Sequence, residues 1–338
     1  CAAAMSSAAH RTSYPLRNSS MSSPKELESA PPLIEPWYLS GPTAAGKTQI
    51  GLALAERLDG EIISLDSMAV YRGMDIGTAK PSPENRRRCP HHMLDLVEPT
   101  EDFSVSQFVA MAHETVDAIR RRGKTPIFVG GTPLYLKTLL RGFYFGPSAD
   151  WEFRDTVEAE AEQVGLESLH ARLAQVDPLS AAKLHIQDKR RIIRALEVHY
   201  LTGTPLSHHQ SHFEDSRPAE QCHVFILGWE RSALHERINE RIDHMFNVGL
   251  QAEVEGLLAK HGNLGRTAAQ ALGYRETIRH FNGELSLAEA IEKVKARTRQ
   301  FARRQETWFR SLTECRRVEM GEMSVSELVD EMISQQDG

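Results

Sequence analysis

Residues 41–48 read Gly-Pro-Thr-Ala-Ala-Gly-Lys-Thr, which fits G-x4-G-K-[ST]. No other feature narrows the fold as far. Such a loop holds phosphate oxygens on backbone N–H groups at a helix N-terminus, so it needs a buried strand before it and a helix after it. Both are predicted here. "PWYLS" (36–40) reads as a short strand with Pro36 tolerated only at its start. Ile50, Leu54 and Leu58 follow at helical spacing, with Gly60 closing that helix. Within the loop Lys47 neutralises phosphate and the Thr48 hydroxyl is the candidate magnesium ligand, while the backbone of Gly41, Pro42, Thr43, Ala44, Ala45 and Gly46 forms the cradle.

Further strands are predicted at "EIISL" (61–65), "PIFVGG" (126–131) and "CHVFILGW" (222–229), with "MLDLV" (93–97) a weaker candidate. Helices are predicted at 103–122, with Ser104 or Ser106 as cap, and at 132–142, with Pro133 in the first turn. Strands alternating with helices around a glycine loop imply an α/β fold: a doubly wound parallel sheet carrying the phosphate loop. Strand signals vanish over 147–218, where amphipathic patterns predict a helical insertion. A helical C-terminal segment follows the last strand. The expected organisation is a disordered tail at 1–35, a first core part at 36–146, the insertion at 147–218, a second core part with basic helices at 219–320, and a tail at 321–338. Residues 1–35 are rich in Ser, Ala and Pro and lack a hydrophobic period, which favours disorder. A transit peptide is the weaker reading, because Pro15 and the missing amphipathic stripe oppose it.

With 41% hydrophobic and 25% charged residues over 338 positions, the chain has enough material for a large core, and no apolar run approaches a membrane span. Cys1, Cys89, Cys222 and Cys315 stand far apart without a CxxC pair, so neither a zinc finger nor a disulfide framework is expected. Histidines in "PHH" (90–92) and "LSHHQSH" (206–212) lack metal-site partners and read as loop residues.

Asp66 ends the apolar run "IISLD" at the rim where open α/β sheets bind ligands. By itself it reads either as a magnesium-holding carboxylate or as a strand-end residue. The polar stretch "DSMAVYRGMDIGTAKP" behind it suits an organic substrate better. "IFVGG" ends without an aspartate, which disfavours an ordinary ATPase or a nucleotide kinase. Thr132 follows Gly130-Gly131 and serves equally as a helix cap or as a rim hydroxyl.

The net charge of −6 hides two basic clusters. "QDKRRIIR" (187–194) carries Arg190, Arg191 and Arg194. "KVKARTRQFARRQETWFR" (293–310) holds seven Lys/Arg against one acid. On a helix, Val294, Phe301 and Trp308 form an inward seam and Lys295, Arg299, Arg303 and Arg310 an outward stripe, flanked by Arg297 and Arg304. A stripe of one sign in an acidic protein points to a nucleic-acid backbone.

Taken together, "GPTAAGKT", "DSMAVYRGMDIGTAKP", "PHHMLDL", "FSVSQF", "VGGTPLYLK", "HIQDKRRIIRALEVHYLTG", "QALGYRE" and "ARRQETWFR" resemble, in order, the tRNA dimethylallyltransferases (tRNA isopentenyltransferases) of bacterial type, over about 36–315. The resemblance implies transfer of a dimethylallyl group from its pyrophosphate to N6 of the adenine 3′ of the anticodon, with Mg2+. The partners implied are a tRNA anticodon stem-loop and dimethylallyl pyrophosphate, for a cytoplasmic protein, with a monomer as the expected state. The implied catalytic residues are Asp66 as general base, Thr132, Lys47 and Arg154. The implied tRNA contacts are Asp66, Ser67, Met68, Ala69, Thr132, Arg154, Arg190, Arg191, Arg194, Gln270, Gly273, Tyr274, Arg275, Arg303, Arg304, Gln305, Trp308 and Arg310. Ala69 departs from the family, which commonly has Gln there. An adenylate isopentenyltransferase acting on free AMP, ADP or ATP is the alternative, although it would not need the insertion and the basic stripe. A non-catalytic RNA-binding module is a further alternative, and it would leave Asp66 without purpose.

Overall fold

The computed structural model describes residues 29–210, 216–321 and 323–335. Its centre is a six-stranded parallel sheet in the order β4-β3-β5-β2-β7-β8. These strands are β2 (Trp37–Ser40), β3 (Gly60–Ser64), β4 (His91–His92), β5 (Thr125–Val129), β7 (Val224–Gly228) and β8 (Arg316–Glu319). A separate pair joins β1 (Ser29–Ala30) to β6 (Phe143–Tyr144), antiparallel.

Helices cover both faces, as central strands buried on both sides require. On one face α1 (Lys47–Arg57) and α14 (Val325–Ser334) pack Ile50, Leu54, Leu328 and Met332 against Leu39, Ile127 and Leu227. On the other, α3 (Val105–Arg121) and α4 (Pro133–Arg141) set Phe108, Val116, Leu136 and Leu139 against Tyr38, Ile63 and Phe128. Ser104 caps α3 in a reciprocal capping box with Gln107, which decides between the two serines available. The short α2 (Pro83–Arg88) leads into β4.

Residues 151–210 form α5 (Trp151–Val164), α6 (Leu166–Val176), α7 (Pro178–Lys183), α8 (Lys189–Thr202) and α9 (Leu206–Gln210). They have a core of their own around Val157, Leu169, Leu173, Ile192 and Leu196. After β7 come α10 (Arg231–Asn247), α11 (Leu250–His261), α12 (Tyr274–Phe281) and α13 (Leu287–Arg310), packed around Tyr71, Met74, Ile238, Val254 and Val294.

Several sequence expectations need correction. The tail does not extend to Glu35: Ser29–Ala30 pair with β6, and Ala30 and Leu33 are buried against the α3–α4 face. Residues 1–28 lie outside the described residues. The segment from 321 is not a tail either, because Ser324 caps α14 and its apolar face covers α1. "MLDLV" is not a strand. The edge strand is His91–His92, and Val97 makes only an isolated bridge to Tyr71. The first histidine pair is thus in the sheet, where His92 Nε2 meets Glu61 Oε2 at 2.6 Å. His208 and His209 are in α9, and 211–212 lie outside the described residues. The turn after α1 is made by Asp59, at φ 47°, rather than by Gly60. Gly60 opens β3 because a Cβ there would lie 2.5 Å from Ile127 Cδ1. Finally, the buried seam of α13 is Ala290, Val294, Thr298, Ala302, Gln305 and Phe309, with Phe301 and Trp308 only half-buried.

Candidate active site

The register of three adjacent strands builds the site. Leu39 and Ser64 both pair with Val129, so β2, β3 and β5 end level with one another. Neighbouring strands lie about 4.8 Å apart. The loops that leave them therefore open side by side on one rim, carrying the phosphate loop, Asp66 and Thr132.

These loops are tied together. Thr132 N–H donates to the Leu65 carbonyl at 3.1 Å, and Ser67 N–H donates to Thr132 Oγ1 at 3.1 Å. Thr132 stands at the N-cap of α4 but makes no cap hydrogen bond with its side chain. Of the two roles open to it, the structure selects the rim: the oxygen is taken by Ser67, and the hydroxyl proton is left to donate. Gly130 is required by this closeness, since a Cβ would sit 2.2 Å from the Leu65 carbonyl oxygen.

Asp66 is held by its own turn. Oδ1 accepts from Met68 N–H at 2.8 Å and from Ala69 N–H at 3.3 Å. Oδ2 has no hydrogen bond among the described residues. The carboxylate is thus oriented, with one oxygen available to a substrate.

Lys47 Nζ donates to the loop's own carbonyls, Gly41 O at 3.0 Å and Pro42 O at 2.7 Å. Burial pushes its ammonium down to about 7, and the charge of Arg241 acts in the same direction, with Asp66 opposing both. Arg241 was missed by the sequence reading. It stands on α10, and burial also pushes its guanidinium down, against the opposing pull of Asp66. Its sequence signal is an arginine within a core stripe: Leu234, Ile238, Ile242 and Met245 are buried at helical spacing, and Arg241 falls among them. Arg237, one turn earlier, donates to Ala44 O at 3.0 Å and stacks 4.3 Å over Trp229, whose indole N–H holds Ala45 O.

Gln305, expected as a tRNA contact, joins two loops of the rim. It is 3% exposed, accepts from Thr43 N–H at 3.0 Å and donates to Gly131 O at 2.5 Å, joining the phosphate loop to the β5 turn.

A single cleft of about 1470 Å³ unites most of the expected residues. Thr43, Lys47, Thr48, Asp66, Ser67, Met68, Ala69 and Thr132 line its sheet side, and Arg154, Arg190 and Arg194 its insertion side. Gln270, Gly273, Arg304 and Gln305 complete it, with Arg241 beside them. Fully buried Glu197 fixes two of the arginines. Its Oε1 accepts from Arg154 Nε at 2.8 Å and from Asp150 N–H at 2.7 Å. Its Oε2 accepts from Arg154 Nη2 at 2.8 Å and from Arg194 Nη1 at 2.6 Å.

Other expected contacts do not face the cleft. Arg191 is exposed and 3.4 Å from Asp188. Tyr274 is fully buried, its hydroxyl on Glu253 Oε1 at 2.5 Å and its ring against Gly77. Arg275 bonds Gln270 Oε1 at 3.1 Å. Trp308 is half-buried, and Arg303 and Arg310 line a small separate pocket with Arg231 and Arg299. The stripe on α13 is also partly neutralised. Lys295 pairs with Asp243 at 2.8 Å, Arg297 with buried Glu276 at 2.5 Å, and Arg299 bonds Asn239 at 2.5 Å.

Comparison with known proteins gives one family, two relatives and two solved structures. The family described as IPP transferase matches residues 69–312. The chain is 50% identical over 286 residues to a tRNA dimethylallyltransferase of Rhodopirellula baltica, covering 82% of this chain and 86% of that one. It is 48% identical to the tRNA dimethylallyltransferase of Geobacter metallireducens, over 80% of this chain and 88% of that one. Among solved structures, it is similar to the tRNA isopentenylpyrophosphate transferase of Bacillus halodurans, with TM-score 0.65 and 37% identity over 90% of this chain and 97% of that one. It is also similar to a eukaryotic dimethylallyltransferase acting on tRNA, with TM-score 0.70 and 27% identity over 89% of this chain and 77% of that one.

Proposed function

The chain belongs to the IPP transferase family, and from that premise we propose that it transfers a dimethylallyl group from dimethylallyl pyrophosphate to N6 of the adenine 3′ of the anticodon in tRNA, releasing pyrophosphate. The observation that carries this reading is the position of Asp66. Its carboxylate has one oxygen fixed by two backbone amides and the other available, on the same rim as the phosphate loop.

The chemistry follows from that arrangement. The adenine amine is a poor nucleophile, because its lone pair is delocalised into the ring. As N6 bonds to C1 of the dimethylallyl group, the C1–O bond breaks and its electron pair leaves with pyrophosphate. The N6 proton passes to Asp66 Oδ2. Thr132 offers a hydroxyl proton on the same rim. Lys47, Arg241 and the loop amides stabilise the charge that grows on the leaving group. The adenine must leave the anticodon-loop stack to reach Asp66, and Arg190 and Arg304 supply cations for the RNA backbone around it, with Arg154 and Arg194 held on the same wall by Glu197.

Among the described residues no group of three His, Cys, Asp or Glu is arranged for a metal. An ion held mainly by substrate phosphates and water needs only one or two protein oxygens. Thr48, exposed in the cleft beside Lys47, is the hydroxyl that would hold Mg2+. When bound, the ion would add charge stabilisation for the pyrophosphate.

The test is incorporation of radiolabelled dimethylallyl pyrophosphate into an anticodon stem-loop, with free AMP as competitor acceptor. Label is expected in the RNA and should vanish when the target adenine is replaced by guanine. Label in AMP alone would select the free-nucleotide alternative. Asp66→Ala should lower turnover by roughly 10²–10⁴-fold while leaving RNA affinity intact. Turnover within a few-fold of the parent would remove the base role.

A further inference from the structure

At the mouth of the cleft stands an aromatic residue that the reaction above does not use. Trp151 opens α5 and lines the cleft, yet it is 50% exposed. Its neighbour Phe153 is stacked on Tyr200 at 4.7 Å. Trp151 has no aromatic partner among the described residues. Its ring lies instead against the Arg154 guanidinium, 5.0 Å from the centroid.

That guanidinium is not free to move, because Nε and Nη2 are both held by buried Glu197. A carboxylate with four donors therefore fixes a cation, and the cation fixes an indole half of which is still open.

We propose that Trp151 is a stacking platform for an unpaired nucleobase that flanks the acceptor adenine. The proposal rests on the tRNA reading above. The acceptor amine must reach Asp66 on the sheet rim, whereas Trp151 stands on the insertion wall of the cleft, which assigns it to a different base. Drawing one base out of a loop leaves its neighbours unstacked. Any base presents a π-face, and an aromatic platform recovers about five- to a hundredfold in affinity per base. Arg190, exposed on the same wall, supplies a cation for the adjoining phosphate.

The experiment measures prenyl transfer to the stem-loop by wild type, Trp151→Phe, Trp151→Leu and Trp151→Ala, with separate KM values for RNA and for dimethylallyl pyrophosphate. Phe keeps a ring face. Leu keeps apolar bulk without one, so the Phe–Leu comparison separates stacking from packing. Leu and Ala should raise the RNA KM by about five- to a hundredfold, with kcat and the prenyl-donor KM within about twofold, and Phe should retain most of the RNA affinity. An RNA KM that Leu restores as well as Phe would make the residue an apolar cover and overturn the proposal. A shift confined to the prenyl-donor KM would put the isoprenoid there instead, and also overturn it. If wild type labels the RNA and all variants match it, the platform falls and the function stands. If wild type labels no RNA, both fall together.

Discussion

Lys47 shows how one side chain can register its ligand. Its ammonium is held by the loop carbonyls and feels the charge of Arg241, and burial first of all pushes its pKa down to about 7 from an ordinary value of 10.5. Between those values the unfolded chain binds the proton more tightly than the folded one. The group's contribution to stability therefore rises with pH across that window. A polyanion in the loop reverses the balance by favouring the charged amine. Binding of pyrophosphate at about pH 8 should thus take up close to one more proton in the parent than in Lys47→Gln. Calorimetry in buffers of different ionisation enthalpy reads that difference directly. Equal proton counts in the two proteins would show that the ammonium is already charged before pyrophosphate binds.

At the scale of elements, the rim was legible and much of its support was not. The glycine loop, the strand-end aspartate and Gly130-Gly131-Thr132 each follow an apolar run, and in a parallel sheet such strand ends meet at one edge. The supports came from elements that give weak local signals. The strand Ser29–Ala30 is two residues long, and β8 reads Arg-Arg-Val-Glu with one apolar residue in four. Both are strands only because a neighbouring strand pairs with them. Arg241 shows itself in the sequence only by falling within an apolar stripe, and Glu197 sits on an amphipathic helix where a charged residue normally faces water, so that only the packing shows it facing inward. Glu197 is the joint between α5 and α8. Glu197→Ala would leave the partly exposed Arg154 and Arg194 without their shared carboxylate, and losing hydrogen bonds to a charged group costs about 1.5–3 kcal/mol. Thermal unfolding should show a loss of that order. Reduced RNA affinity should accompany it, since Arg154 and Arg194 lose their aim. A stability change within experimental error, with RNA binding intact, would mean that the helices hold together without the joint.

Across the whole molecule, the question is how a chain of net charge −6 attracts a polyanion. The sequence suggested the stripe on α13. We propose that the cleft carries more of the attraction, because on α13 Lys295 and Arg297 are matched by Asp243 and Glu276, and Arg299 is turned to Asn239. A paired cation displaces few counterions from RNA, so it adds little to the salt dependence of binding. Arg190 and Arg304 both line the cleft, are exposed, and make no ion pair among the described residues. Arg304 is only steadied by the Phe301 ring, 6.0 Å away. Replacing both by alanine should reduce the slope of log affinity against log salt by roughly 1.4–1.8, at about 0.7–0.9 per phosphate contact. Replacing Lys295 and Arg299 should leave the slope nearly unchanged. Filter binding of the stem-loop over a range of salt concentrations compares the two pairs in one experiment. The reverse result, with the α13 pair carrying the slope, would mean that RNA breaks those internal pairs as it binds and that the backbone tracks the helix rather than the cleft.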